Sequence, residues 1–384
     1  MSTSVENRLL QLRRLGQSPW FDYISRPLIT SGSLRRMVDH EGLGGVTSNP
    51  SIFEKAIGSG TAYDREILEL AHQGCSAAEI FDRLAIDDVR AACDVLAPVY
   101  LGSGGDDGFV SVEVSPKLAY DTEQTIAEAH RIFTAVDRPN VMIKIPGTKE
   151  GIPAVRACLQ AGLNINVTLL FSLSQYDAVA EAYMDALEER LRRDLTLRGT
   201  SSVASFFISR VDTLVDRLLD ERLGATDDVA ERRRLEGLKG QAAVANAKVV
   251  YERFQSHLES RRWQLLAAAG AKVQRVLWAS TSTKNAAYKD TLYVDELIGE
   301  RTVNTLPEST WQAFRDHGTV ARTVDKRVDE AHRILRDLAG MGIEMEAVGA
   351  RLQREGVELF ARSYEAVIAI VEERRRALLA AEAG

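Results

Sequence analysis

Short apolar runs alternate with long amphipathic stretches along most of this chain, and no other feature restricts the fold so strongly. A strand buried on both faces reads as an unbroken apolar run, whereas a surface helix carries an apolar stripe at a spacing of about 3.6 residues. Regular succession of the two builds βα units around a parallel sheet. The runs fall at residues 20–23, 45–47, 109–114, 141–145, 163–168, 203–207, 275–279 and 302–304. About eight such strands, each followed by helix, is the number that closes an α/β barrel of the (β/α)8, or TIM, type. The helix after the fifth run has the clearest signal, with Tyr176, Val179, Ala180, Tyr183, Met184, Leu187 and Leu191 at helical spacing.

The rhythm stretches in three places. Residues 54–108 form an insertion with helices near 63–71 and 77–97, ended by GSGGDDG. That glycine cluster precedes a strand and does not link a strand to a helix, so it reads as a flexible turn and not as a phosphate loop. A second helical insertion covers roughly 211–270, and everything after Thr305 is helical in pattern. Val357, Phe360, Tyr364, Val367 and Val371 line one face of a long final helix, and Arg374, Arg375 and Arg376 read as a solvated face complementing its dipole. Asp121 followed by Gln124 fits a capping box at the start of the third barrel helix. A chain of 384 residues has room for two domains, but barrels reach this length as one unit. With no repeat, low-complexity linker or Pro-rich hinge, the expectation is one elaborated barrel over 1–384, with helices of about 306–384 packed on it.

Charge and cysteine content remove several functional classes. A net charge of −7 argues against a nucleic-acid surface. The three cysteines, Cys75, Cys93 and Cys158, show no CxxC spacing and no disulfide framework, which fits the cytoplasm. The N-terminal twenty residues lack the apolar core of a signal peptide, and no stretch reaches transmembrane length. The six histidines, His40, His72, His130, His257, His317 and His332, show no ligand spacing, so no metal is expected.

Lys144 stands inside one of the apolar runs, Val141-Met142-Ile143-Lys144-Ile145. A lysine there either snorkels out of the strand end, finds an ion-pair partner, or sits desolvated. Desolvation favours the neutral amine, which attacks carbonyls and forms Schiff bases. Other runs are also interrupted or ended by polar residues: Asp22, Asn49, Glu113, Asn166 with Thr168, Ser205 with Arg210, and Ser280. Singly, asparagine and serine at strand ends are most often turn residues. Together they put a lysine nucleophile, two carboxylates, amides for hydroxyl groups and an anion site at the C-terminal ends of seven strands, where barrel chemistry sits. A sugar-phosphate enzyme needs that set. Arg210 is the best phosphate residue, because guanidinium matches phosphate oxygens at two points and falls at a helix start. The competing reading of Arg210 is a salt bridge to Asp212 or Asp216. Trp278 reads as core packing before pocket wall.

The segments GVTSNPSIF, VSVEVSPKLAYD, VMIKIPGTKEGI, INVTLLFSLSQY and VLWASTSTKN, in this order, resemble the transaldolase family, the Schiff-base enzymes of the pentose phosphate pathway. The resemblance runs from about residue 20 to 305, and the extra helical length suggests a longer bacterial branch. It implies a (β/α)8 barrel and no cofactor. It also implies roles by position. Lys144 holds a dihydroxyacetone unit as an imine, Asp22 takes the proton of the C4 hydroxyl, and Glu113 works with a water held by Thr168. Asn49 and Asn166 bond the hydroxyls of the bound unit, and Ser280 lies near the pocket. Many members carry an arginine two residues after Ser280, where this chain has Ser282; Lys284 is the candidate to replace its charge.

The expected reaction is transfer of dihydroxyacetone from sedoheptulose 7-phosphate to glyceraldehyde 3-phosphate. Two rivals stand beside it: a lyase similar to fructose 6-phosphate aldolase, and a sugar-phosphate binder without catalysis. Sugar phosphates are the expected partners, with no nucleic acid or membrane, in a monomer or homodimer.

Overall fold

In the computed structural model, residues 7–383 are described; residues 1–6, the start of the N-terminal stretch considered above, lie outside them. The strands are β1 (Gln17–Phe21), β2 (Gly45–Thr47), β3 (Phe109–Glu113), β4 (Val141–Pro146), β5 (Ile165–Leu170), β6 (Ser202–Phe207), β7 (Arg275–Ala279) and β8 (Thr302–Leu306). They pair in parallel and in sequence order, and β8 returns to β1 to close the barrel. The fold is the (β/α)8 barrel that the alternation of runs and stripes requires.

Strand limits move where buried polar side chains form hydrogen bonds. β1 begins at Gln17, three residues before its apolar run, because the Gln17 amide donates to the Leu297 carbonyl (2.7 Å) and to Thr302 Oγ1 (3.0 Å). β8 runs on through Thr305 to Leu306, with Thr305 Oγ1 2.6 Å from Thr47 Oγ1. β5 starts two residues later than its run and ends two later, with a register shift against β6 between Val167 and Leu170. Such irregularities re-aim a side chain at a sheet end.

The helix assigned to residues 77–97 continues to Gly102 through Pro98. Tyr100, past the proline, packs edge-on against Phe109 of β3 with ring centroids 5.3 Å apart. Asp121 caps its helix by accepting from Gln124 N (3.0 Å), but the return bond goes from the Gln124 side chain to the Asp121 carboxylate (2.7 Å) and not to backbone. The chain after Thr305 is not entirely helical: non-helical segments separate helices Glu308–His317, Val328–Ala339 and Met345–Ala383. Nor are the three late arginines only a solvated face. Arg374 pairs with Asp64 at 2.6 Å and also bonds the Gly60 carbonyl, tying the C-terminal helix to the insertion. No described helix is long and apolar enough to cross a membrane.

The glycine cluster closes the N-terminal end of the barrel and is more firmly held than a flexible turn. Asp107 is buried and accepts hydrogen bonds from Ser18 Oγ, from Trp20 Nε1 (2.8 Å) and from the Arg275 guanidinium (3.3 Å). Gly108 has φ of +85°, and a Cβ there would stand 2.3 Å from the Tyr100 backbone nitrogen. Replacing Asp107 by alanine leaves an indole N–H and a largely buried guanidinium without their acceptor. The expected loss is about 3 kcal/mol of unfolding free energy, read from urea denaturation. A loss below about 1 kcal/mol would mean that water replaces the carboxylate.

Candidate active site

Glu113, Lys144 and Asn166 are lateral neighbours, paired Glu113 with Lys144 and Lys144 with Asn166 across β3, β4 and β5. Strand side chains alternate in direction, so paired residues share a face. Lys144 does not snorkel: its side chain is 6% exposed and its Nζ donates to the Ser48 carbonyl at 3.0 Å. Glu113 Oε2 lies 3.6 Å from Nζ, an ion-pair distance beyond hydrogen-bond reach. Both Glu113 oxygens and Thr168 Oγ1 are buried with no hydrogen-bond partner among the described residues. A carboxylate without hydrogen bonds beside the amine, and an orphaned hydroxyl in the wall of the cavity that Lys144 lines, are costly to leave dry and make a seat for water or a substrate hydroxyl.

Asp22, directly after β1, accepts from Thr47 Oγ1 at 2.6 Å. Burial pushes the Asp22 carboxyl up, opposed by that hydrogen bond and by the charges of Lys144, Lys284 and Lys55. Burial also pushes Glu113 up, opposed mainly by Lys144 and reinforced by the negative charge of Asp22. The two acids differ in one respect. Asp22 accepts a side-chain hydrogen bond from Thr47, whereas Glu113 faces the Lys144 ammonium at ion-pair distance.

Asp22, Asn49, Lys144, Thr168, Ser205, Arg210, Ser280 and Lys284 line one cavity of about 280 Å³ at the C-terminal end of the barrel. Asn49 caps helix Pro50–Gly58 by accepting from Ile52 N (3.1 Å), which orients the residue in the cavity wall. Ser280 sits at φ of +57°, its hydroxyl 2.9 Å from Ser209 Oγ. Two of the expected site residues are not in this lining. Asn166 is wholly buried, donating to Ser111 Oγ (3.0 Å) and accepting from Ser205 Oγ (2.6 Å). Glu113 faces an adjoining crevice that it shares with Ser48, Asn49 and Ser115.

Arg210 forms neither of the salt bridges considered for it. Asp212 accepts from Ala243 N (2.7 Å) and the Tyr293 hydroxyl (2.9 Å), and Asp216 from Gly240 N (2.8 Å) and the Tyr288 hydroxyl (2.5 Å). The Arg210 guanidinium lies instead between two rings, 5.5 Å from the centroid of Phe207 and 5.8 Å from that of Phe360. Lys284, which donates to Ser282 Oγ at 2.7 Å, has its pKa pulled down by burial and by the charges of Arg210 and Lys55. Three mutually repelling cations at one end of a cavity suit a doubly charged anion. Trp278 is core: its ring meets Phe206 edge-on and its Nε1 donates to the Leu297 carbonyl at 3.0 Å.

Lys55 and Phe360 line the cavity but were not singled out as site residues. Lys55 had a signal, since Asn49 caps its helix and Ser51 and Lys55 stand four residues apart on one face. Phe360 had none beyond its apolar stripe. Among the described residues no group of three or more His, Cys, Asp or Glu gathers as a metal site.

A family model described as Transaldolase/Fructose-6-phosphate aldolase matches residues 19–371. "Transaldolase" of Trichodesmium erythraeum is 45% identical over 376 residues, 97% of this chain and 99% of that protein. "Transaldolase 1" of Streptomyces avermitilis is 47% identical over 361 residues, 94% of this chain and 93% of its own length. "Transaldolase 2" of a Nostoc species is 45% identical over 369 residues, 95% and 97% of the two chains.

Proposed function

The chain belongs to the transaldolase/fructose-6-phosphate aldolase family and is a transferase, and from that premise we propose that it moves dihydroxyacetone between sugar phosphates through an imine on Lys144. The donor is sedoheptulose 7-phosphate and the acceptor glyceraldehyde 3-phosphate, giving erythrose 4-phosphate and fructose 6-phosphate in the pentose phosphate pathway. The observation that carries this reading is the buried Lys144 amine beside the unpaired oxygens of Glu113 and Thr168.

Lys144 Nζ adds to the C2 carbonyl of the ketose. Glu113, protonated, gives its proton to the carbinolamine hydroxyl, which leaves as water and is received near Thr168. Asp22, ionised, then removes the proton of the C4 hydroxyl. The C3–C4 bond breaks, its electron pair flows to the iminium, and the aldose departs. The enamine waits for the acceptor aldehyde, attacks it through C3, and Asp22 returns the proton to the new hydroxyl. Water, deprotonated by the Glu113 carboxylate, then adds to the new iminium, and the carbinolamine collapses to free the ketose and the Lys144 amine with Glu113 protonated again. Asn49 bonds the hydroxyls of the three-carbon unit from the cavity wall, while Asn166, beneath it, keeps Ser205 oriented. Arg210, Lys284 and Lys55 hold the phosphate at the far end. The enzyme works in the cytoplasm, as one barrel unit with its C-terminal helices, in a monomer or homodimer.

The deciding measurement is release of glyceraldehyde 3-phosphate from fructose 6-phosphate, with and without erythrose 4-phosphate. Sustained release only with the acceptor, with sedoheptulose 7-phosphate formed in step, is the expected outcome. Equal release without acceptor would make the protein a lyase and overturn the transferase reading.

A further inference from the structure

One face of the C-terminal helix Met345–Ala383 is built for the end of β5. Glu346, Gly349, Gln353, Gly356 and Phe360 follow one another at intervals of three and four residues, which is one side of a helix. Glu346 accepts from Ser172 Oγ (2.7 Å) and Ser174 N (3.1 Å), at the start of the helix that follows β5. A Cβ on Gly349 would stand 2.6 Å from Ser172 Cβ, and one on Gly356 2.9 Å from Leu169 Cδ2, so the helix lies as close as glycine permits. Between these contacts, Gln353 Nε2 donates to the Gly147 carbonyl at 2.8 Å and to the Leu169 carbonyl at 3.1 Å.

Those two carbonyls belong to the segments that carry the chemistry. Gly147 directly follows the strand of Lys144, and its N–H donates to the Thr168 carbonyl at 2.7 Å. Leu169 follows Thr168 at φ of +62°, a left-handed conformation that a leucine adopts only under constraint. The register shift of β5 begins at Val167. A primary amide has two N–H donors, and here both are used to close a ring of bonds through Gly147, Thr168 and Leu169.

We propose that Gln353 is a positioning residue: from the C-terminal helix it holds the bulged end of β5 so that Thr168 keeps its place in the wall of the cavity that Lys144 lines. The far C-terminal part of the chain is thereby a working part of the barrel's site. The inference rests on the reading of Thr168 given under Proposed function, as the group that holds the water of imine formation.

The test is Gln353→Met, which keeps the length and packing of the side chain and removes both donors. The expected result is a fall of about ten-fold or more in kcat and in the rate of borohydride trapping with fructose 6-phosphate, with KM changed by less than about two-fold. A clamp that only stabilises the fold would lower the melting temperature and leave trapping alone, and that outcome overturns the proposal. The second arm is Thr168→Val, alone and combined with Gln353→Met. If Gln353 acts through Thr168, its loss has little further effect on trapping in the Thr168→Val protein. Independent, multiplying effects overturn the proposal while leaving the reading of Thr168 intact. A Thr168→Val protein that traps at the parental rate removes the role of Thr168 itself, and the proposal falls with it for that separate reason.

Discussion

Lys144→Met is expected to lower turnover by at least about 10⁴-fold, the scale on which enzymes lose rate when the nucleophile of a concerted group is removed. Methionine keeps the length of the side chain in an apolar strand, so packing is not what changes. The amine is what changes. Without it no electron sink forms at C2, and the C3–C4 bond has no path to break. Lys55 and Lys284 line the same cavity, but Lys284 is engaged with Ser282 and both lie with Arg210 in the cationic group, which has its own use. Lys144→Arg should fail as completely, because guanidinium carries charge but forms no imine at neutral pH. The measurement is borohydride reduction with fructose 6-phosphate followed by peptide mass analysis. The parent protein should gain one reduced sugar adduct on the peptide carrying Lys144, and both variants none. Turnover in Lys144→Met within ten-fold of the parent would end the imine mechanism for this chain.

The barrel and much of its site could be read from the chain because both depend on local, periodic signals. Eight strands of near-continuous apolar character leave few alternatives to closure, and a polar residue that interrupts such a run must be used. Lys144 and Asp22 were singled out in this way and Arg210 by its place after the sixth run, and the three line one cavity. What escaped the sequence is non-periodic or remote. Asn166 carries the same signal as Asn49, yet its amide is spent on Ser111 and Ser205 inside the barrel, and only the packing tells the two apart. Asp107 reads as part of a loose turn, because its partners Ser18, Trp20 and Arg275 lie on two distant strands. Arg210 had a plausible partner in Asp212 until the backbone of Ala243 and the hydroxyl of Tyr293 were seen to claim that carboxylate. The C-terminal helix was legible as a helix, and its apolar stripe as a packing face. Gly349, Gln353 and Gly356 continue the face of Phe360 toward the start of that helix, but none of the three has an apolar side chain to extend the stripe, so their contact with β5 was invisible.

Asp22→Asn is expected to cut kcat by about 10² to 10⁴-fold, the usual contribution of a positioned base, while leaving imine formation in place. Asparagine keeps the shape and still offers an oxygen to Thr47 Oγ1, but it cannot take the C4 proton. Fructose 6-phosphate should therefore still be trapped on Lys144 by borohydride, with carbon–carbon cleavage nearly stopped. The division of labour with Glu113 follows from the environments of the two acids. Both are pushed up by burial, so in an empty site neither ionises as readily as an exposed carboxyl. The hydrogen bond from Thr47 and the charges of Lys144, Lys284 and Lys55 favour the ionised form of Asp22. An ionised Asp22 adds to the burial that pushes Glu113 up, the direction that the proposed dehydration step calls for. The sign for pH dependence follows from the upward push on Asp22. A base with a raised pKa is still protonated at pH values where ordinary carboxylates have ionised, so kcat should rise with pH above the usual carboxylate range. That acid limb should disappear from the residual activity of Asp22→Asn. Loss of trapping together with cleavage in Asp22→Asn would place Asp22 in imine formation, and the assignment of separate tasks to Asp22 and Glu113 would be wrong.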